Sequence, residues 1–588
     1  MIMKKYIIFL AAAILSLSIS SCTQFTEEIL DGNPLTSFTK SNYFTSESNV
    51  EMFANYFYSE WTGYGTGGSC NFYFPTLNDN QSVIGYTEWN YTSVPASNGT
   101  WNSCYTEIRR ANIMLEAIPN IESMSETAKK NWMGVARLYR AWQHYCIVRS
   151  LGDCYYVDKV LDVNDENILF GARQDRDVVM DKVLEDLNYA VENITYNASS
   201  RTAFNNAVAQ AMKSEICLYE GTFCKYRSAA DGQKAADATR ADKYLGECKT
   251  ASKAIMDKTS MYFLSPSYRA VYNSLDLGKS DATSEMILYK HYVYGIMSHG
   301  VIDYTCGSTM TNGMNKDAFD SYLFTDGECL ANTTLNKSDH GKVVSVTPGT
   351  IADERTWIID ISDVLKNRDP RLSETIDPYL FFPGCGYRRY SLGAEATSST
   401  GYGVMKFDTP LFTDAARRNA TNGAETDAPI FWLANVILNY AEACVETNDN
   451  KEAIDAVNML RKRAGMPNLS TSPKADPANN MGVSNLIWEV RRERRVELMF
   501  DNNDRYWSLV RWHQLELLDH SKHPLLGKGA YVGSMNPSSN DKIDVDADGY
   551  INTMNGKTGR VYNAKHYLAP IPSGQISLNP ELGQNYGW

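Results

Sequence analysis

The sequence lacks the features that mark several functional classes. It has 56 basic and 69 acidic residues and a formal net charge of −13, so it lacks the basic surface that nucleic-acid binding requires. Its 8 histidines include no HExxH pair, and neither a GxSxG motif nor a phosphate-binding P-loop occurs. The 12 cysteines include no CxxC pair and no metal-ligand spacing. These absences remove the motifs of metalloproteases, α/β-hydrolases, P-loop nucleotide-binding proteins and zinc sites.

The composition that is present is typical of a folded protein with a binding surface. The 588 residues are 43% hydrophobic and 21% charged, which indicates a globular chain long enough for two or more domains. Tyrosine (37) outnumbers phenylalanine (20) and tryptophan (11). Because tyrosine combines an apolar ring with a hydroxyl, this bias favours a surface that both stacks and hydrogen-bonds.

The chain opens with MIMKKYIIFLAAAILSLSISSC, which predicts export. Two lysines precede an apolar stretch (residues 6–17) that is too short to span a bilayer, as in a signal peptide. Small residues then lead to Cys22, as in the lipobox of bacterial lipoproteins. The alternative is a plain signal peptide in which Cys22 occurs by chance. We therefore expect residues 1–21 to be removed and Cys22 to be lipidated. A stable membrane anchor requires more than one acyl chain.

Apolar periodicity predicts a mainly helical fold. Trp132, Val135, Tyr139, Trp142 and Cys146 recur at intervals of three and four residues, which places them on one helix face. Paired helices joined by short polar turns resemble tetratricopeptide hairpins, which stack to bury their apolar faces, although a regular repeat of about 34 residues does not occur. The predicted fold class is predominantly α, with tetratricopeptide-like hairpins, long irregular loops (about 295–430) and a few short strands. Similar periodicity occurs at 178–194, 205–225, 243–256, 432–447, 451–464 and 485–500.

Five segments carry a resemblance to a known family. In chain order they read ARLYRAWQHYCIVRSLGDCYYV (136–157), FWLANVILNYAEACVETN (431–448), AIDAVNMLRKRAGMP (453–467), IWEVRRERRVELMFDNNDRYWSLVRW (487–512) and YLAPIPSGQISLNPELGQNYGW (567–588), with NRDPRLSETI at 367–376. Together with the lipobox, this order is similar to the SusD/RagB family of outer-membrane nutrient-binding lipoproteins of Bacteroidetes, over essentially the whole mature chain. One departure is DNND (501–504), where members commonly have Glu-Gly before the Arg505–Tyr506 pair. We expect it to change a turn and not the function.

The resemblance implies a function and partners. Family members are helical proteins whose tetratricopeptide-like hairpins pack against a SusC-type TonB-dependent transporter. They bind glycans or other nutrients outside the cell, pass them to that transporter and have no catalytic activity. The implied arrangement is a lipoprotein signal peptide (1–21), an N-terminal SusD-like helical region (22–230) and a C-terminal SusD/RagB region (231–588) with a loop-rich, ligand-facing segment. The protein would be held on the outer membrane by its lipid alone, exposed at the cell surface, without binding nucleic acid.

Two aromatic clusters are candidate glycan platforms. A pyranose packs its C–H face against an aromatic ring while its hydroxyl groups bond to polar side chains at the rim. The first cluster, in GYTEWNYTSV, lies in a polar loop before a predicted helix that starts near Trp101, and glycan-binding members of the family carry aromatics in the corresponding loop. The second, in LYKHYVYG, alternates as in a strand, so one of its faces is expected to be core. For each ring the alternative is ordinary packing. The predicted ligand-binding residues are Tyr86, Trp89, Asn90 and Tyr91 in the first cluster and Tyr292 and Tyr294 in the second.

The segment DVDADGYIN resembles the start of a calcium-binding loop. Carboxylates at positions 1, 3 and 5, a glycine at position 6 and a hydrophobic residue at position 8 match that pattern. Position 12 is asparagine instead of the bidentate glutamate, so weak affinity is expected. The alternative is a β-hairpin with an Asp-Gly turn. The predicted function requires no cofactor, and Ca²⁺ is the one candidate ion. Its ligands would be Asp544, Asp546, Asp548, Tyr550 and Asn552.

Arginines and glutamates alternate at helical spacing along residues 488–500. This predicts a salt-bridged helix face and not a catalytic cluster, because no nucleophile or metal site accompanies the acids. The predicted function is therefore that of a non-catalytic cell-surface lipoprotein that captures polysaccharide or oligosaccharide and delivers it to its transporter. Two alternatives stay open. One is a surface glycoside hydrolase, which needs only two suitably spaced carboxylates among 69 acids. The other is a non-glycan nutrient-binding or scaffold protein on helical repeats.

Overall fold

A computed structural model describes residues 43–72, 75–83, 89, 93–195, 200–306, 312–345, 357–380, 398–412, 414–501, 503–533, 543–554 and 559–588. Within these ranges the chain forms eighteen α-helices and eight short strands. The helices are α1 (Glu47–Ala54), α2 (Gly99–Ala117), α3 (Glu126–Leu151), α4 (Glu166–Leu169), α5 (Arg176–Asn193), α6 (Asn206–Tyr226), α7 (Ala238–Met256), α8 (Ala270–Asn273), α9 (Val301–Cys306), α10 (Lys316–Ser321), α11 (Ser362–Leu365), α12 (Pro370–Thr375), α13 (Ala415–Arg418), α14 (Leu433–Glu446), α15 (Asn450–Arg463), α16 (Asn485–Glu497), α17 (Asp504–Arg511) and α18 (Ser573–Leu578). The strands are β1 (Gln81–Ser82), β2 (Met286–Lys290), β3 (Gly313–Met314), β4 (Lys342–Ser345), β5 (Trp357–Asp360), β6 (Ala428–Trp432), β7 (Lys528–Tyr531) and β8 (Tyr550–Asn552).

Capping residues set the ends of the long helices. The Asn98 side chain accepts a hydrogen bond from the backbone N–H of Trp101 at the start of α2, and Ser125 accepts one from Ala128 at the start of α3. At the other end of α3, Gly152 has a φ of 77°, a conformation that residues with a Cβ rarely adopt. Helix α2 therefore begins close to the predicted position near Trp101, and α3 ends at the Gly-Asp turn.

The long helices pack against one another in stacked pairs. α3 packs against α2 and α5, α6 packs against α7, and α14 packs against α7, α15 and α16. Each pair buries a face that neither helix could bury alone. The predicted helical fold with tetratricopeptide-like hairpins is confirmed. The segments predicted from periodicity correspond to α3, α5, α6, α7, α14, α15 and α16.

α3 is buried more completely than its apolar stripe predicts. Tyr139 and Trp142 are buried as expected, but Arg140 and His144 are buried as well. Arg140 forms an ion pair with Asp186 of α5 (Nη2–Oδ1 2.7 Å), and burial lowers the pKa of His144 to about 3. A helix covered by neighbours on all sides needs a partner for each polar side chain.

The charged residues of α16 form salt bridges, as their spacing predicts, and the network that they form is buried. Arg371 of α12 lies 2.6 Å from Glu493 and 2.8 Å from Glu497. All three side chains are buried, and their partners come from different segments of the chain. The alternating charges therefore connect α16 to the elements around it.

The strands form four two-stranded antiparallel pairs, β1 with β3, β2 with β6, β4 with β5, and β7 with β8. β6 continues directly into α14, so its pairing with β2 joins the loop-rich middle region to the helical frame. The described residues of that region contain only short helices and strands, as predicted.

A large hydrophobic core extends from Phe44 to Leu582 through the described residues, and a small separate cluster contains Leu323, Cys329 and Met466. The predicted boundary at residue 230 falls between α6 and α7, which pack against each other, so it stays a prediction about sequence regions. The predicted signal peptide and Cys22 lie outside the described residues. None of the described helices combines the length and the apolar character needed to cross a membrane.

Candidate functional site

Trp89 is the one member of the first predicted cluster that the structure describes, since Tyr86, Asn90 and Tyr91 lie outside the described residues. Its φ of 66° is uncommon for a bulky residue. The Trp89 ring is half-buried and stacks on His566, with centroids 4.5 Å apart and planes 16° apart. Burial, and to a lesser degree a neighbouring lysine, lowers the pKa of His566 to about 4. The imidazole is therefore neutral at pH 7 and supports the Trp89 ring from one side.

Trp89 lines a cavity of about 290 Å³, which we call the aromatic cavity. Helix α17 contributes adjacent rings to it, the C-terminus contributes an indole, and the last turn of α3 contributes Arg149. A concave site with several rings and a few polar groups is typical of small-ligand binding. Its aromatic lining consists of Trp89, Tyr506, Trp507, His566, Tyr567 and Trp588.

The C-terminal segment is attached to the end of α3, and this attachment positions Trp588. Asn585 donates a hydrogen bond from Nδ2 to the backbone oxygen of Leu151 (3.0 Å). Trp588 donates from Nε1 to the backbone oxygen of Lys565 (3.1 Å), and the Nζ of Lys565 lies 4.3 Å from a ring centroid of Trp588. The indole of Trp588 is therefore held in place on the same cavity as Trp89.

A second cavity of about 590 Å³ adjoins the first, and we call it the polar cavity. The two cavities share Arg149 and Trp507 as lining residues. The polar cavity lies among α3, α6, α14, α17 and β6, so it is built by the helical frame itself. Aromatic rings and amides line it together, including Trp142, Tyr145, Tyr219, Trp432, Asn435 and Asn439.

Several buried polar atoms around the polar cavity have no hydrogen-bond partner among the described residues. They are Nε1 of Trp142, Nε of Arg149, Nε1 of Trp432 and Oδ1 of Asn503. An unsatisfied buried polar atom costs about 1–3 kcal/mol, and such atoms are uncommon in folded proteins. Such atoms also occur elsewhere among the described residues, but those beside the polar cavity lie where a ligand or water can complete their hydrogen bonds.

Most charged groups of the polar cavity are paired. Glu442, which is fully buried, accepts hydrogen bonds from Nε of Arg494 (3.0 Å) and Nη2 of Arg511 (2.8 Å). Burial alone would raise the pKa of Glu442, but the two arginines lower it to about 2. Asp501 lies 2.7 Å from the Nζ of Lys406. Glu442 and Lys406 thereby fix the positions of Arg494, Arg511 and Asp501, which line the cavity.

The structure corrects the prediction for Tyr292. Its side chain is 1% exposed, and its hydroxyl donates to the backbone oxygens of Thr62 (3.0 Å) and Gly65 (2.8 Å). β2 ends at Lys290, and the chain then turns this ring into the core, where it has no face for a sugar. Tyr294 is 50% exposed, and the guanidinium of Arg417 lies 3.6 Å from its ring centroid. Tyr294 lines neither cavity, and its role in binding stays a prediction.

The predicted calcium loop (544–552) adopts the alternative geometry, a β-hairpin turn. The backbone N–H of Asp546 donates to the oxygen of Tyr550 (2.8 Å). The Nζ of Lys528 lies 2.7 Å from Asp546 and 3.6 Å from Asp548. The ammonium group of Lys528 therefore pairs with Asp546, and a calcium ion at this loop would have to displace it. Calcium binding by this loop stays a prediction that the geometry does not support.

His291 has acidic neighbours that the sequence spacing does not indicate. Its Nδ1 lies 2.9 Å from Asp427, and Asp276 is close enough for the three to share a cation. Asp427 also accepts backbone N–H bonds from Leu277 (2.8 Å) and Tyr292 (2.9 Å). These bonds give the carboxylate a structural role in holding two loop segments together.

Most of the cavity lining was not predicted from the sequence. Tyr506, Trp507 and Trp588 occur in segments that carry the family resemblance, and no sequence pattern marks them as binding residues. The adjacent positions of Tyr506 and Trp507 on one helix could have indicated a surface role. Neighbouring side chains on a helix point in different directions, so both rings cannot pack into the same part of the core. Arg149 had no signal, since only the folded chain shows that it faces a cavity.

Two family models match the chain. The model described as "SusD family" matches residues 284–588, which is more than half of the chain. The model described as "Starch-binding associating with outer membrane" matches residues 42–218.

Curated relatives and solved structures agree with these matches. SusD-like protein P2 of Formosa agariphila is 24% identical over 504 residues, which is 82% of this chain and 79% of that protein. SusD-like protein P38 of the same organism is 22% identical over 70% of this chain and 71% of its own, whereas the chain spans only 23% of the length of SusD-like protein P25. A SusD-like carbohydrate-binding protein from Bacteroides fragilis aligns with a TM-score of 0.65, at 20% identity, over 92% of this chain and 100% of its own. A structure with xylogluco-oligosaccharide aligns with a TM-score of 0.59, at 17% identity, over 91% and 98%. At these identities the structural likeness shows the fold.

Proposed function

The chain belongs to the SusD family, and from this membership and the two adjoining cavities we propose that it is a non-catalytic glycan-binding protein of the cell surface. In this proposal it captures polysaccharide or oligosaccharide outside the cell and delivers it to a SusC-type TonB-dependent transporter. A lipid on Cys22 anchors it to the outer membrane.

The observation that carries the proposal is the aromatic cavity. Trp89, Trp507 and Trp588 line one space of about 290 Å³, and the larger polar cavity adjoins it at Arg149. Indole rings accept the C–H faces of sugars, while amide and charged side chains bond to the hydroxyl groups. Because Trp588 and Trp89 are already held in place, binding does not require these rings to be ordered first.

The relatives support the ligand class and the location. One aligned structure is that of a carbohydrate-binding protein, and another contains xylogluco-oligosaccharide. The family model that matches residues 42–218 is named for starch binding and association with the outer membrane. We apply both properties to this chain as part of the proposal, without assigning a particular glycan.

A surface glycoside hydrolase is the second candidate because one observation favours it. Glu215 and Asp504 line the same cavity, and burial raises the pKa of Glu215 to about 6. A carboxylic acid with a raised pKa beside a second carboxylate is the arrangement that glycosidases use. We favour binding because Asp504 is engaged by Arg494 (3.1 Å), and because one aligned structure is named as that of a carbohydrate-binding protein.

A titration separates the two candidates. The purified chain is titrated with a panel of polysaccharides and oligosaccharides, and released reducing ends are assayed in the same samples. Binding without release supports the proposal, and release of reducing ends replaces it with a hydrolase. If neither occurs, a non-glycan nutrient or a scaffold role becomes the better explanation.

Variants then locate the site. Trp89→Ala and Trp588→Ala are each expected to weaken glycan binding by about 1–3 kcal/mol, which is roughly 5-fold to 150-fold. Tyr294→Ala is the matched control, because that ring is exposed and lines neither cavity. Thermal melting checks that each variant is folded. If both tryptophan variants keep the wild-type glycan affinity and Tyr294→Ala loses affinity, the binding site lies at the second cluster instead.

Anchoring and delivery need separate experiments. Cys22→Ala is expected to release the protein from the outer-membrane fraction of the cells that produce it. A tagged chain isolated from those membranes is expected to co-purify with a TonB-dependent transporter. Recovery of the tagged chain alone would contradict the delivery step while leaving glycan binding in place.

A further inference from the structure

Arg149 lies where the two cavities adjoin, and the carboxylate that faces it, Glu215, does not form an ion pair with it. Its guanidinium carbon lies 4.4 Å from a ring centroid of Trp507, 4.9 Å from that of Tyr145 and 5.6 Å from that of Trp142. Its Nε is buried without a hydrogen-bond partner. Among the described residues, no carboxylate forms an ion pair with this guanidinium. Arg149 therefore presents a charged donor group to the shared boundary of the cavities.

The other arginines of the polar cavity are in a different situation. Arg494 and Arg511 share the carboxylate of Glu442, and Arg494 also reaches Asp504. The rings around Arg149 offset only part of the cost of removing an unpaired guanidinium from water. A ligand that brings a negative charge would supply the missing partner.

Glu215 is the second charged group of the polar cavity that has no partner among the described residues. The charged groups that face it are Arg149, Arg494, Arg511 and Asp504, and burial raises its pKa to about 6. Below that pH Glu215 is uncharged. Arg149 is then the one unpaired charge among the described residues that line the cavity.

We propose that Arg149 binds the carboxylate of an acidic sugar, so that the glycan captured by this protein contains uronic acid residues. This inference rests on the proposed function. The planar guanidinium matches a carboxylate with two parallel hydrogen bonds. Trp507, which lines both cavities, is placed to stack on the sugar ring that carries the carboxylate. A neutral glycan would meet the rings and amides but would leave Arg149 without a direct ion pair.

Paired ligands test the inference. The purified full chain is titrated calorimetrically at pH 5.0 and pH 7.5 with tetrasaccharides of galacturonic, glucuronic, mannuronic and guluronic acid. Each is compared with its carboxyl-reduced form, in which a hydroxymethyl group replaces the carboxylate. At least one acidic tetrasaccharide is expected to bind roughly tenfold or more tightly than its reduced form, because a bidentate charged hydrogen bond is lost on reduction.

Arg149→Gln is expected to abolish this preference, weakening the acidic ligand roughly tenfold to a hundredfold and leaving the reduced ligand unchanged. Arg137→Gln is the matched control. Arg137 lies on the same helix with its guanidinium 4.2 Å from the ring centroid of Tyr189, and it lines neither cavity. Its substitution is expected to leave both affinities unchanged.

Glu215→Gln provides a second test that does not depend on the folding of the Arg149 variant. In the wild type, affinity for the acidic tetrasaccharide is expected to rise several-fold from pH 7.5 to pH 5.0, because protonation of Glu215 removes a repelling charge. Glu215→Gln is expected to bind as tightly at pH 7.5 as the wild type does at pH 5.0.

Each remaining outcome has one meaning. Equal affinity of the wild type for acidic and reduced ligands, or binding of reduced ligands alone, overturns the inference and leaves glycan binding standing. An acidic preference that survives Arg149→Gln also overturns it, since the carboxylate is then bound elsewhere. If no acidic or neutral sugar of any panel binds, the proposed function itself is wrong.

Discussion

Replacing Glu442 by glutamine is expected to lower the free energy of unfolding by about 3–4 kcal/mol. Glu442 accepts hydrogen bonds from Arg494 (3.0 Å), Arg511 (2.8 Å) and Nε1 of Trp512 (2.5 Å). Glutamine keeps the shape of the side chain but removes the charge that compensates two buried guanidinium groups. Removal of one partner from a buried ion pair costs about 3–5 kcal/mol, because the other charge stays buried and uncompensated.

The pKa of Glu442 supports the same magnitude. Burial alone raises this pKa, but Arg511 and Arg494 lower it from 4.5 to about 2. At about 1.4 kcal/mol per pH unit, this difference corresponds to about 3–4 kcal/mol. Because the folded pKa lies below the unfolded one, this stabilisation is complete above pH 4.5 and is lost as the pH falls from 4.5 towards 2.

Urea unfolding followed by tryptophan fluorescence measures the effect. The difference in unfolding free energy between the wild type and Glu442→Gln is expected to be constant from pH 7 to pH 5 and to shrink below pH 4.5. Glu185→Gln is the matched control, because Glu185 is 63% exposed and pairs with Lys182 at the surface (2.9 Å). Its loss is expected to stay below about 1 kcal/mol. A loss that small for Glu442→Gln at pH 7 would refute the reasoning, since it would mean that water in the polar cavity compensates both arginines.

Three further predictions concern Tyr292, the loop that resembles a calcium site and two buried histidines. Tyr292→Phe removes both hydrogen bonds of the hydroxyl and is expected to lower the unfolding free energy by about 1–2 kcal/mol. Glycan affinity is expected to be unchanged. A reduced affinity without a loss of stability would show that Tyr292 takes part in binding. Millimolar calcium is expected to leave the melting temperature as it is in EDTA, because Lys528 already neutralises Asp546, and a rise of several degrees would contradict the hairpin interpretation. Burial lowers the pKa of His144 to about 3 and of His299 to about 4. Because the folded pKa values lie below the unfolded value of 6.5, protonation in the unfolded state lowers the unfolding free energy as the pH falls below 6.5, by about 2 kcal/mol for each histidine at pH 5. An unchanged urea midpoint between pH 7 and pH 5 would show that the two imidazoles are not buried in their neutral form.

The frame of this protein was predictable because its signals are local. Apolar residues at intervals of three and four, a serine or asparagine cap and a glycine stop act within a few turns of one helix. α3 illustrates both the success and the limit of this reasoning. Its boundaries follow from such signals, but the burial of Arg140 depends on Asp186 in another helix.

The candidate site was predicted only in part. Trp89 lines a cavity, as its place in the first cluster suggests. Trp507 and Trp588 lie in family motifs, which do not indicate that their rings line the same cavity. Tyr292 failed as a platform because its strand ends two residues earlier and the chain turns inward. A pattern along the sequence can show which rings lie on one side of a strand, but not which side the rest of the protein covers.

By itself, the sequence determined the helical class, the family and the absence of the catalytic motifs, because periodicity and motif order are properties of continuous segments. The tertiary structure alone decided where a ligand can bind. Trp89 lies more than 400 residues before Trp507 in the chain, and Trp588 follows Trp507 by 81 residues. Only the docking of the C-terminal segment on the end of α3 brings these rings to one cavity. The unpaired charge of Arg149 was likewise decided in the folded state, because whether a charge has a partner depends on every segment that surrounds it.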